Sequence, residues 1–183
     1  MSGQSIEVPH RSRSDVSRFA YLVRRELKVT EDYFPIIQFL ELVMPMVFED
    51  FVFGVKSEEE MGCNHGLTIP SENAIYLRAD VYEGALKGNP RDRFTAAHEL
   101  GHYLMHRDVP VTYHRMIGRK RLPPEIDSEC QANLFAAALL MPERKLRKCR
   151  SLAEVAKKFG VSRKAASFLN RILVREKRMK VLN

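Results

Sequence analysis

Cysteine is scarce in this sequence, and long apolar segments are absent. The three cysteines, Cys63, Cys130 and Cys149, are an odd number and form no Cys-x-x-Cys pair. This usage excludes a disulfide scaffold and a cysteine-ligated zinc ribbon. No apolar run approaches the ~18 residues that a membrane-spanning helix needs, and residues 1–18 lack the apolar segment of a secretory signal. These absences predict a cytoplasmic globular protein without a membrane segment.

The positive charge is concentrated near the end of the sequence. Residues 143–183 contain 14 lysines and arginines but three acidic residues, whereas the preceding residues contain 16 basic and 20 acidic residues. Such a segment can attract nucleic acid or an acidic partner. It can equally form a solvated helical surface, and the sequence leaves both interpretations open.

The hydrophobic pattern divides the chain into a flexible lead (residues 1–13), a core (14–142) and a basic helical segment (143–183) packed on the core. Predicted helices cover residues 15–27, 34–43, 92–107 and 125–140, and predicted strands cover 48–55, 67–69 and 74–81. Ser14 or Asp15 is expected to cap the first helix, and Pro45 to end the second. After Ser151, two or three further helices are expected. Helices on both sides of one small, about three-stranded sheet predict a mostly helical α+β fold.

The strongest chemical signal is the run His98-Glu99-Leu100-Gly101-His102. Residues four apart lie on one face of a helix, so the two histidines can present ring nitrogens to one metal ion. Neutral imidazole suits Zn²⁺, and Glu99 can accept a proton from the attacking water. The run therefore predicts the zinc site of a metallopeptidase.

A catalytic zinc normally has three protein ligands. We expect Glu129 to be the third, because it begins an apolar helix whose small residues allow close packing against the zinc helix. Asp108, Glu125 and Asp127 remain alternatives. Asn133 lies one turn after Glu129 and can hold a ligand by hydrogen bonding.

Other side chains in the sequence have weaker predicted roles. His114 or Tyr113, in the loop between the two ligand helices, can donate a hydrogen bond to the oxyanion of the transition state. His106 is interpreted as a structural residue. The predicted strand 74–81 can hold an extended substrate by strand addition.

Three segments together resemble the ImmA/IrrE family of metallo-endopeptidases. They are residues 93–102 (RFTAAHELGH), 129–142 (ECQANLFAAALLMP) and 152–162 (LAEVAKKFGVS). The resemblance implies a zincin-like core of the gluzincin type, with His98, His102 and Glu129 as zinc ligands and Glu99 as general base. It also implies a helix-turn-helix-like ending and substrates that are helix-turn-helix repressors, often on phage or other mobile elements. Where related enzymes have an aspartate four residues after the ligand glutamate, this sequence has Asn133.

The sequence therefore predicts a zinc-dependent endopeptidase that cleaves a helix-turn-helix repressor or an antitoxin. One alternative is a DNA-binding regulator that uses residues 151–178, with a structural or vestigial zinc site. Another is a toxin–antitoxin partner that acts by binding. In the endopeptidase interpretation, the basic segment contacts DNA weakly and without sequence preference.

Overall fold

The computed structural model describes residues 5–109 and 122–183. Its α-helices and strands are, in chain order, α1 (Arg13–Glu26), α2 (Ile36–Gln38), α3 (Met44–Val47), β1 (Val52–Lys56), α4 (Glu58–Met61), β2 (Gly66–Ile69), β3 (Ala74–Arg78), α5 (Ala79–Leu86), α6 (Pro90–His106), α7 (Ser128–Leu140), α8 (Glu143–Leu146), α9 (Leu152–Phe159) and α10 (Arg163–Arg175). A three-stranded sheet among predominant helices confirms the predicted α+β class. Within the described ranges, no helix combines the length and apolar character needed to cross a bilayer.

The sheet has the order β1-β3-β2, with β1 parallel and β2 antiparallel to β3. The central position of β3 agrees with its burial, because Ala74, Ile75 and Leu77 are all fully buried. The expectation that this strand holds an extended substrate is wrong. Both edges of β3 are already occupied by neighbouring strands, so its backbone groups are not available for a further one. The strand also ends at Arg78, where helix α5 begins.

The start of α1 and the end of the second helical segment differ from the prediction. Ser12, not Ser14 or Asp15, caps α1: its hydroxyl accepts a hydrogen bond from the Asp15 backbone N–H at 3.1 Å, and the Asp15 carboxylate accepts one from the Ser12 N–H at 3.2 Å. Pro45 does not end the second helical segment. A π-helical stretch (Phe39–Val43) leads into α3, and Pro45 lies in the first turn of α3, where its missing N–H is tolerated.

Helices α6 and α7 pack directly against each other at the centre of the molecule. Their contact is close because Gly101 on α6 faces Ala132 and Phe135 on α7. A β-carbon added to Gly101 would lie 3.0 Å from the Phe135 ring and 3.3 Å from the Ala132 α-carbon. The small residues in the two helices therefore allow the close packing that the sequence predicted.

Arg93 joins the start of α6 to the C-terminal helices. Its guanidinium is buried and donates hydrogen bonds to the backbone oxygens of Phe34 (3.1 Å) and Gly160 (3.1 Å), and it stacks 3.5 Å from the centre of the Tyr33 ring. Burial lowers the pKa of Arg93 to about 10. Residues 143–183 thus contact the core through a buried cation, while their status as a separate unit stays a prediction.

We expect Arg93→Met to lower the free energy of unfolding by on the order of 3 kcal/mol. The apolar side chain would leave the Phe159 and Gly160 oxygens without the donor that Arg93 supplies, each at about 1–3 kcal/mol. Urea titration followed by circular dichroism measures the change. As a control, Arg91→Met removes an exposed cation from the same helix and should change the value by less than about 0.5 kcal/mol. Equal effects from both substitutions would contradict the role of Arg93.

Candidate metal centre

Helix α6 brings His98 and His102 together. Asn89 begins the helix by accepting a hydrogen bond from the Arg91 N–H at 2.9 Å, and Pro90 occupies its first position. One helical turn separates the two histidines, and their Nε2 atoms lie 3.0 Å apart. Two nitrogen ligands therefore point to one place on the surface of α6.

Helix α7 supplies the third group. Asp127 caps α7 by accepting from the Cys130 N–H at 2.9 Å, which places Glu129 in the first turn. The Glu129 Oε1 atom lies 3.1 Å from His102 Nε2, and its Oε2 atom lies 3.4 Å from His98 Nε2. Within the described part of the chain, these three side chains form the one cluster whose donor atoms could hold a metal ion, all within 4.8 Å of one another.

The alternative third ligands occupy other positions. Asp127 is used as the helix cap, and Glu125 lies 3.9 Å from an arginine, Arg13. The Asp108 side chain is 89% exposed and pairs with the neighbouring Arg107. The structure thus places Glu129, and none of these three, beside the histidines. That Glu129 ligates a metal stays a prediction.

The electrostatics of the cluster suit a cation. Burial raises the pKa of Glu129, but hydrogen bonds with His102 and His98 outweigh this effect and lower the pKa to about 2. Burial lowers the pKa of His98, but its hydrogen bond with Glu129 and the charge of Glu99 outweigh this and raise the pKa. An ionised carboxylate and two imidazoles, each mostly buried, form a donor set of the His₂Glu type that zinc peptidases use. The residues present therefore fit a divalent metal.

Glu99 is positioned by strand β2. The Thr68 hydroxyl lies 2.8 Å from Glu99 Oε2 and can donate to it, and Gly66 lies against the same side chain. A β-carbon on Gly66 would come within 2.6 Å of Glu99 Cγ, so only glycine leaves room for the carboxylate. The role of Gly66 could not be predicted from the sequence, because a contact between distant segments leaves no local pattern.

His106 contacts a predicted ligand. Its Nδ1 atom lies 3.2 Å from His102 Nδ1, and its Nε2 atom lies 3.1 Å from the Gln131 side-chain oxygen. The Gln131 amide nitrogen donates to the backbone oxygens of Pro9 (3.0 Å) and Glu125 (2.8 Å), which fixes the orientation of the amide. His106 must then donate from Nε2 and accept at Nδ1. With a metal bound, His102 would therefore be neutral with its proton on Nδ1, and its Nε2 lone pair would face the place between His98 and Glu129.

A cavity of about 390 Å³ adjoins the cluster and is lined by Glu99, Asn64, His65 and Asn133 among others. Asn133 also forms a hydrogen bond that raises the pKa of His98. Arg91 donates to His65 Nε2 at 3.1 Å, so His65 carries its proton on Nδ1. Sequence reasoning missed the position of His65 because the residue has no neighbouring motif. The predicted transition-state donors Tyr113 and His114 lie outside the described residues.

The chain is similar to known metalloproteases. The family model of the M78 peptidases, described as the IrrE N-terminal-like domain, matches residues 62–169. The radiation response metalloprotease IrrE of Deinococcus radiodurans is 31% identical over an alignment of 118 residues that covers 59% of this chain and 34% of that protein. The chain thus spans about a third of the length of that relative.

A solved structure shares the fold. A transcriptional regulator of Mycobacterium tuberculosis superposes with a TM-score of 0.61 and 15% identity, over 92% of this chain and 49% of that one. The match to the family model covers both α6 and α7, and therefore all three members of the cluster. On this evidence the chain belongs to the ImmA/IrrE family of metallopeptidases.

Proposed function

We propose that the protein is a zinc-dependent endopeptidase that cleaves a partner protein. The observation that carries the proposal is the position of Glu99, a mostly buried carboxylate that lines the same cavity as His98 and Glu129. A structural metal site has no use for a free carboxylate at that position. Zn²⁺ bound by the three side chains would polarise the scissile carbonyl group and lower the pKa of water.

Glu99 would transfer protons during the reaction. Its Oε2 atom is held by the Thr68 hydroxyl, which leaves Oε1 to accept a proton from the attacking water and pass it to the leaving amine. Because Gly66 and Thr68 both belong to β2, this strand fixes the carboxylate relative to the sheet. His65, one residue before β2, offers its Nδ1–H from the wall of the same cavity.

The edge of β2 can align an extended substrate. Among the described residues, β2 pairs with β3 on one side only, and it lies next to Glu99. A substrate strand added to that edge would gain backbone hydrogen bonds close to the metal centre. This geometry favours cleavage of flexible or locally unfolded segments, because a folded segment cannot present an extended backbone.

We place the partner among helix-turn-helix repressors or antitoxins, as the resemblance to the ImmA/IrrE family implies. The direct test is incubation of the purified, zinc-loaded protein with the product of its neighbouring gene. Mass spectrometry should detect two fragments, and a zinc chelator should prevent their appearance. An intact partner after prolonged incubation with the zinc-loaded protein would oppose this choice of substrate.

The hydrogen bonds of His106 predict a measurable effect on metal affinity. We expect His106→Leu to weaken zinc binding by about tenfold, because His102 would lose the acceptor that orients its ring. Competition with a chromophoric chelator measures the affinity, and ¹⁵N NMR of the histidine rings reports the tautomer of His102. As a control, His10→Leu removes an exposed histidine and should leave the affinity unchanged. A His102 ring without a proton on Nδ1 in the zinc-loaded protein would contradict this role.

A further inference from the structure

A second cavity, of about 300 Å³, lies beside α7, between the start of α1 and helix α10. Four arginines line it: Arg11 and Arg13 on one wall, and Arg171 and Arg175 on the other. Its floor is apolar and includes Val16, Leu134, Phe168 and Ile172. We call this cavity the basic cleft.

The positive charge of the basic cleft is poorly compensated. Arg171 and Arg175 are four residues apart on α10, so they share a helix face and repel each other. Within residues 5–109 and 122–183, Arg13 has an ion-pair partner, Glu125, at the long distance of 3.9 Å. For the other three arginines, no ion pair is found in these ranges. Four cations around one concave surface therefore form a site to which an anionic group would bind favourably.

The basic cleft continues the cavity of the metal centre. Asn133 lines both cavities, and the consecutive α7 residues Glu129 and Cys130 line the metal-centre cavity and the basic cleft, respectively. Consecutive residues of an α-helix lie about 100° apart around its axis and ~1.5 Å apart along it, so the two cavities adjoin on neighbouring faces of α7. An extended peptide covers about 10 Å with three residues, so a single segment can occupy both cavities.

From this arrangement we infer that the basic cleft binds an acidic segment of the polypeptide substrate, next to the bond that is cleaved. The inference rests on the proposed endopeptidase function and specifies its substrate class. Arginine binds carboxylates through two parallel hydrogen bonds. The floor formed by Phe168 and Ile172 accepts an apolar side chain between the acidic ones.

The shape of the cleft favours a peptide over duplex DNA. Its apolar floor would gain nothing from contact with phosphates, whereas it removes an apolar side chain from water. Recognition of duplex DNA by a helix needs a protruding face that enters a groove. On α10, the face with Leu169 and Leu173 is buried, and the cationic face forms a wall of the concavity.

The test measures binding separately from cleavage. The zinc-loaded Glu99→Gln protein would be titrated against two fluorescein-labelled 12-residue peptides, one with glutamates around a central leucine and one with glutamines instead. We expect the acidic peptide to bind at least about tenfold more tightly at low salt, and this preference to shrink as salt is added. Binding of both peptides with equal affinity would overturn the inference.

Charge reversal locates the binding surface. Introducing Arg171→Glu and Arg175→Glu together into the Glu99→Gln protein should weaken binding of the acidic peptide by at least about tenfold. The matched control, Arg163→Glu with Lys164→Glu, makes the same charge change at exposed positions of the same helix outside the cleft and should weaken binding less than about threefold. Equal losses from the two double variants would overturn the assignment to the cleft.

Three further outcomes separate the possible explanations. A labelled 20-base-pair duplex that binds more tightly than the acidic peptide, and is released by the Arg171 and Arg175 reversals, would show that the cleft is a DNA surface and overturn the inference. If the acidic peptide binds as expected but wild-type protein cleaves no partner, then the endopeptidase proposal fails while the cleft keeps its peptide-binding role. Cleavage of a partner without any preference for acidic peptides would support the endopeptidase proposal and overturn the role of the cleft.

Discussion

The Glu99→Gln protein should bind zinc as wild type does and lose about 10²–10⁴-fold in kcat/KM, since general acid–base catalysis contributes a factor of that size. The amide keeps the shape of the side chain, and its oxygen can still accept the hydrogen bond from Thr68. It cannot take a proton from water at neutral pH. Cleavage of the partner protein, followed by gel and mass spectrometry, measures the rate, and metal analysis on the same sample measures the zinc content.

A surface carboxylate provides the control for this substitution. Glu83 on α5 is exposed and pairs with Lys87, so Glu83→Gln should leave both the rate and the zinc content unchanged. A Glu99→Gln protein that cleaves at the wild-type rate would remove Glu99 from the mechanism. Loss of both activity and zinc would instead indicate that Glu99 serves the metal centre structurally.

Among the variants tested for metal binding, Glu129→Ala should show the largest loss of affinity. Binding free energies of structural zinc sites with four ligands are about 10–16 kcal/mol, so each ligand contributes roughly 3 kcal/mol. We therefore expect Glu129→Ala to weaken zinc binding by on the order of a hundredfold. Wild-type protein should retain about one zinc per chain after dialysis, and the variant should lose most of it. Elemental analysis measures this difference.

Asp108→Ala is the matched control, because Asp108 was a candidate ligand from the sequence and its side chain points to solvent. This variant should keep its zinc. The reverse result, with metal lost from Asp108→Ala and kept by Glu129→Ala, would show that residues near 108 move to the metal and that Glu129 does not bind it.

The position of the cluster of His98, His102 and Glu129 was the part of the structure that the sequence predicted best. His98 and His102 are related by the geometry of one helix, which local spacing describes fully. Glu129 could be chosen among the acidic residues because the small residues after it predict a helix that packs closely on α6. Both arguments use the spacing of residues along a helix, which depends on the local sequence and not on contacts with distant segments.

Features that depend on distant segments could not be predicted in this way. The order of the strands placed β3 at the centre of the sheet, and no local pattern in residues 74–78 distinguishes a central strand from an edge strand with one buried face. The contacts of Gly66 and Thr68 with Glu99, and of His106 with Gln131, join segments at least 25 residues apart. Such partners become visible only when the tertiary structure is known.

The contact between Gly101 and Ala132 has a consequence for the dimensions of the metal centre. The histidines belong to one helix and Glu129 to the other, so the separation of α6 and α7 sets the size of the space between nitrogen and oxygen ligands. A methyl group at position 101 would require a shift of a few tenths of an ångström, and a well-formed metal site tolerates about 0.2 Å in its bond lengths. The hydrogen atom at position 101 therefore sets the distance between the two histidines and Glu129, and the fit of an ion between them would depend on van der Waals contact between two backbones.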